Sequence, residues 1–297
     1  MKRLVIKLVL FGAVMVFALA GTLALRTYLW QDKVREHFKI KPGTLALCIG
    51  NSHAECSWVE VPGSKIKNSF EVDTVFPMFL WRLKEFDRRG QLQNAKNVIV
   101  IYDQTAFRCH EKRFAYRYRM AFAYQWRYFF EIPPRVDSWN CLLDTMTHLG
   151  SHWGVAGAER KGDDVPIDIT AKPRFLAQEK SGEKVDYKAF WEGQEREVRC
   201  ELEEMRDICR RNGVHLMLLW SPLCSELRQR DTSDGVDVLY DGLAELAREV
   251  GVDCIDERAW APDYLFRDAS HLSFAGAKKF SCYFFEKYCG WHPIVAR

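Results

Sequence analysis

No C-x-x-C pair occurs among the ten cysteines of this 297-residue chain, and its net charge is only +3. Without such a pair, neither a zinc knuckle nor a thioredoxin-like redox couple is indicated. The cysteines are scattered through segments that read as buried strands and helices, where a thiol packs as a small apolar side chain. So small a net charge also argues against the phosphate backbone of a nucleic acid as the main partner. Internal repeats, low-complexity tracts and a second compositional regime are missing as well. One large domain, 31–297, is therefore expected behind a distinct N-terminal segment, 1–30. Hydrophobic residues at 48% and charged residues at 28% suit a globular core. Nothing in the sequence fixes an oligomeric state.

The N-terminal segment opens with Lys2, Arg3 and Lys7, followed by an uncharged, mostly apolar run from Leu8 to Leu25 that Arg26 closes. Such a run is just long enough to cross a hydrocarbon core as a transmembrane helix. Ala18-Leu19-Ala20 before Gly21 also resembles a signal-peptide cleavage site. The uncleaved anchor is preferred, because apolar residues continue past that site to Leu25. As an export signal, either form places the rest of the chain outside the cytoplasm, periplasmic or extracellular.

Downstream, short apolar runs alternate with helical patterns. Strands are expected at Thr44–Ile49, about Lys65–Phe70, Asn97–Tyr102, Val214–Trp220 and Val252–Ile255, each apolar in the manner of strands buried on both faces. Helical spacing marks Val75–Arg89, Asp186–Arg211, Leu239–Val250 and Ser273–Tyr288. Asn212-Gly213 provides a stop for the longest of these. The alternation predicts an α/β fold, a parallel sheet covered by helices on both faces, with functional groups at the carboxyl ends of strands.

The stretch of about 104–185 interrupts that alternation and reads as an insertion. It carries an aromatic and arginine-rich cluster from Arg113 to Phe130. Three readings stay open: an amphipathic helix on the core, a groove for the apolar faces of sugars, and a stacking surface for bases. The charge balance disfavours the last. His148 and His152 in the same insertion lack a carboxylate at fixed spacing and read as loop histidines, so no metal is expected.

Two short motifs carry chemistry. Gly50-Asn51-Ser52-His53 follows the first buried strand, where a turn can expose the Ser52 hydroxyl and aim backbone N–H groups at an oxyanion. A serine becomes nucleophilic only when a base takes its proton, and a carboxylate must orient that base. Asp268 and His271, three residues apart, can supply both from one tight turn. The blander alternatives are that Ser52 caps a helix, that Asp268 merely forms a turn, and that His271 is a surface histidine. Likewise, His53 could be a first-turn residue or a substrate contact, and Asn51 a turn-shaping residue or a substrate contact.

Leu45-Ala46-Leu47-Cys48-Ile49-Gly50-Asn51-Ser52-His53 resembles the first block of the SGNH/GDSL hydrolases, with Asn51 where that family usually has Asp. Asp268-Ala269-Ser270-His271-Leu272-Ser273-Phe274-Ala275-Gly276-Ala277 is similar to its last block. The resemblance implies a three-layer α/β/α, flavodoxin-like fold and a Ser52–His271–Asp268 triad doing acyl-ester chemistry without a cofactor. The oxyanion would then rest on the Gly50 and Ser52 backbone N–H groups. Two family features are absent. Asn68-Ser69-Phe70-Glu71 lacks the glycine of the second block, and Asp103-Gln104-Thr105 stands where the third block has an Asn. Gln104 is the candidate replacement donor. These departures resemble membrane-anchored members associated with O-acetylation of envelope glycans, so an acylated glycan or small molecule is the expected substrate. The alternative is a catalytically weak module of the same fold that binds polysaccharide or docks to envelope machinery.

Overall fold

The computed structural model describes residues 6, 7, 9–14, 17, 21, 35–61, 64–70, 76–103, 186–268 and 270–292. Two compact units are present: Met1–Phe38 with His110–Gly157, and Lys39–Cys109 with Ala158–Arg297. The described N-terminal positions in the first unit are helical, with Val9, Leu10, Phe11, Val14 and Phe17 exposed. Among the described residues, no helix is long and apolar enough to cross a membrane. Much of the Leu8–Leu25 run lies outside the described residues, as does the insertion of about 104–185 with Arg113–Phe130, His148 and His152.

The second unit contains a five-stranded sheet: β1 Thr44–Gly50, β2 Ile66–Phe70, β3 Ala95–Tyr102, β4 His215–Trp220 and β5 Asp253–Asp256. All pairings are parallel and the order is β2-β1-β3-β4-β5. This is the flavodoxin-like order of doubly wound α/β sheets, with its reversal between β1 and β3. Every residue of β1 is buried, and β3 exposes only Lys96. Those near-continuous apolar runs are what made the strands legible.

Six helices complete the described part of the unit: α1 Ser52–Ser57, α2 Phe76–Arg88, α3 Tyr187–Arg211, α4 Ser225–Asp234, α5 Asp237–Val250 and α6 Phe274–Cys289. Successive strand residues face opposite ways. Ala46, Cys48, Ile99, Ile101, Met217 and Leu219 therefore share one face and form a core with Phe280, Phe284 and Phe285 of α6. Trp58, just after α1, stacks on Phe280 and Phe285 in that core. On the other face Tyr102 meets Phe79 of α2 edge-on at 5.4 Å, and Trp220 meets Tyr240 of α5 at 4.3 Å. α3 packs on both α2 and α5. It comes close to α5 because Gly242 leaves room for Trp191, whose ring would lie 2.4 Å from an added Cβ.

Candidate functional site

In doubly wound sheets ligands bind at the carboxyl ends of the strands where the order reverses, here β1 and β3, and the first half of the site is built there. β1 ends at Gly50, and Asn51 caps α1 by accepting the His53 backbone N–H on its Oδ1 at 2.9 Å. The cap is thus Asn51, and Ser52, described by its backbone, is the first helical residue. β3 ends at Tyr102 and delivers Asp103, which is only 4% exposed. Asn51 Nδ2 donates to Asp103 Oδ2 at 2.5 Å, and His53 Nε2 lies 3.1 Å from the same oxygen. Two adjacent strand ends are tied through one buried carboxylate.

The second half lies between β5 and α6. A 3-10 turn at Asp263–Leu265 leads into a hairpin closed by an antiparallel bridge between Phe266 and Leu272 and by Arg267 N–H donating to the His271 carbonyl at 2.8 Å. Within it Asp268 Oδ1 accepts the backbone N–H groups of Ser270 at 3.0 Å and His271 at 2.9 Å. The carboxylate also meets His271 Nδ1, at 2.8 Å from Oδ1 and 3.0 Å from Oδ2. Leu272, 1% exposed, plugs the hairpin into the core. Ser273 caps α6, its Oγ accepting Gly276 N–H at 3.1 Å while donating to the Leu265 carbonyl at 2.9 Å. The halves meet where the His271 and His53 rings lie 4.8 Å apart between centroids, tilted by 33°.

Burial pushes the Asp268 carboxyl up, but the hydrogen bond and charge of His271, helped by the two backbone N–H donors, outweigh it and hold the group well below the usual carboxylate range. An ionised Asp268 can only accept, so it assigns the proton of neutral His271 to Nδ1 and leaves Nε2 bare, the form a general base needs. Burial lowers the His53 pKa despite the pull of Asp103, and the neighbouring His271 adds to the lowering. Both effects favour the neutral form of His53.

No known family's sequence profile matches the chain, and no curated protein does. Among solved structures it is similar to a Streptococcus pneumonia protein provisionally described as a platelet activating factor, at 13% identity, 93% coverage of this chain, 99% of that chain and a TM-score of 0.43.

The structure brings Asp268 onto His271, and His271 onto the turn that holds Ser52. Asn51 and His53 are both buried; Asn51 donates to Asp103, and His53 Nε2 lies 3.1 Å from it. Gly50 closes β1, and Gln104 lies outside the described residues. Asp103 was assigned no role from sequence. Its signal was available, since it is a carboxylate directly after the most β-branched strand, but its significance depends on β3 lying beside β1. Among the described residues, no group of three His, Cys, Asp or Glu is placed to hold a metal ion.

Proposed function

We propose that the chain is a serine hydrolase or acyltransferase of the SGNH/GDSL type. Ser52 attacks the acyl carbonyl, His271 Nε2 takes its proton and later returns it, and Asp268 holds His271 in the required tautomer. The Gly50 and Ser52 backbone N–H groups, with Gln104 as a further donor, stabilise the oxyanion. The observation that carries this reading is the Asp268–His271 hydrogen bond at 2.8 Å, on a ring that packs against the residue following Ser52. Water resolves the acyl-enzyme in hydrolysis, and a hydroxyl of the acceptor does so in transfer.

The proposed substrate is an acylated glycan or small molecule outside the cytoplasm, with the Leu8–Leu25 segment as the membrane anchor. Its exposed apolar side chains on helical backbone, behind Lys2, Arg3 and Lys7, support the anchor. The test uses the full-length chain in detergent. Covalent labelling by a fluorophosphonate and turnover of an aryl acetate are expected, and both vanish in Ser52→Ala. A folded wild-type protein that does neither would sink the reading.

A further inference from the structure

The site contains two histidine–carboxylate pairs, and the chemistry proposed above uses only one. The second, His53–Asp103, is the more deeply buried, with side chains 9% and 5% exposed against 17% and 36% for His271 and Asp268. Asp103 Oδ2 receives Asn51 Nδ2 at 2.5 Å, while Asn51 Oδ1 holds the His53 backbone. His53 thus has Asp103 beside its ring and Asn51 on its main chain, partners at the ends of two neighbouring strands. His53 Nδ1 is buried without a hydrogen-bond partner among the described residues. A proton there would be an unpaired buried donor, whereas a proton on Nε2 has the Asp103 carboxylate 3.1 Å from its nitrogen. Geometry therefore assigns the Nε2–H tautomer to His53.

Resting on the ester-chemistry reading, we propose that His53, locked by Asp103 and Asn51, is a positioning residue for His271: its ring is the surface against which the catalytic imidazole is held. One side of the His271 ring is fixed by Asp268 through the Nδ1 bond, and His53 packs against the ring at 4.8 Å. Ser270 Oγ lies 3.2 Å from the same Nδ1, so Asp268 and Ser270 hold one edge of the ring while His53 packs beside it. The groups facing His53 among the described residues are Asp103, His271 and, beyond it, Asp268, with Arg267 Nε 3.7 Å from Asp268. Depressed basicity of His53 keeps it neutral while His271 takes up the proton, so two cations are not stacked together.

Two variants separate ring support from mere filling. His53→Phe keeps a flat ring against His271, and His53→Ala removes it. In His53→Ala, kcat for an aryl acetate is expected to fall roughly 10- to 100-fold with KM within about twofold of wild type, as misplacement of a catalytic group does. His53→Phe should stay within about threefold of wild type. A second readout needs no turnover. The His271 Nδ1–H bound to Asp268 should give a downfield proton resonance that wild type and His53→Phe show and His53→Ala loses to solvent exchange. Unchanged kcat and an intact resonance in His53→Ala, or His53→Phe as impaired as His53→Ala, overturn the proposal. Should either variant fail to fold, nitrogen spectra of the wild-type histidines decide, since a proton on His53 Nδ1 at pH 7 overturns it and Nε2–H supports it. Absence of Ser52-dependent turnover with the resonance behaving as described removes the ester reading while leaving the positioning of His271 in place.

Discussion

Gly276 and Leu265 touch backbone to backbone: a Cβ on Gly276 would stand 2.2 Å from the Leu265 carbonyl oxygen. The same carbonyl accepts both the backbone N–H and the Oγ of Ser273. The start of α6 and the segment entering the Asp268–His271 hairpin are thus fastened at one point.

Gly276→Ala forces that point apart. A loss of about 1–3 kcal/mol is expected, typical of overpacking at a site that cannot yield cheaply. Urea denaturation measures it. The displacement falls on the hairpin, so any esterase activity should drop by more than the stability loss explains at temperatures where the variant remains folded.

Asp268→Asn preserves an oxygen for the Ser270 and His271 backbone N–H groups, so the hairpin should persist. The amide can, however, present its NH2 to His271 Nδ1, which favours the wrong tautomer. On the proposed ester chemistry, a fall in kcat of roughly 10³- to 10⁴-fold with a native circular dichroism spectrum is expected, the size seen when the carboxylate of a Ser-His-Asp triad becomes an amide. Retention of wild-type kcat would show that another group orients His271.

Acid sensitivity has a defined origin. The unfolded chain takes up a proton at His53 near its ordinary value of 6.5, whereas burial in the fold, against the pull of Asp103, lowers that affinity. The unfolded state therefore binds more protons as pH falls below about 6.5, and stability declines with it, by at most about 1.4 kcal/mol per pH unit for this one group. Asp268 works in a lower window. Its stabilisation is present above the unfolded value of 3.8 and is lost as pH falls below it. His53→Gln should accordingly flatten the stability profile between pH 7 and 5 in denaturant titrations, and leave the loss below pH 4.

Tyr240→Phe tests packing on the opposite face of the sheet. Its hydroxyl donates to buried Asp231 at 2.7 Å, and burial first, then Asp231, pushes the phenol well above its usual range. Removing that bond is expected to cost about 1–3 kcal/mol in thermal or urea unfolding. The kcat of the folded variant should be unchanged, because Tyr240 packs on Trp220, on the face opposite α6.

Most elements were legible to within one or two residues. Asp186, read as the start of a long helix, is its N-cap, with Oδ1 accepting from Lys188 and Ala189. α4 was missed because its sequence, Ser-Glu-Leu-Arg-Gln-Arg-Asp-Thr-Ser-Asp, has no apolar stripe and buries only Asp231. Periodicity cannot mark a helix that has so little to hide.

Asp268 and His271 could be paired from sequence because they share one hairpin, where spacing alone limits their geometry. By itself the sequence also determined the alternation of buried strands and helices, since apolar runs and helical spacing are local properties of the chain. The company kept by Asn51 and His53, on either side of Ser52, was decided only by the tertiary structure. Asn51 and Asp103 are 52 positions apart, and they meet because β3 pairs with β1 at the reversal of the sheet. His53 meets His271 because α6 packs on the face that α1 also covers. Contacts of that kind depend on strand order and helix packing, which no spacing within a motif encodes.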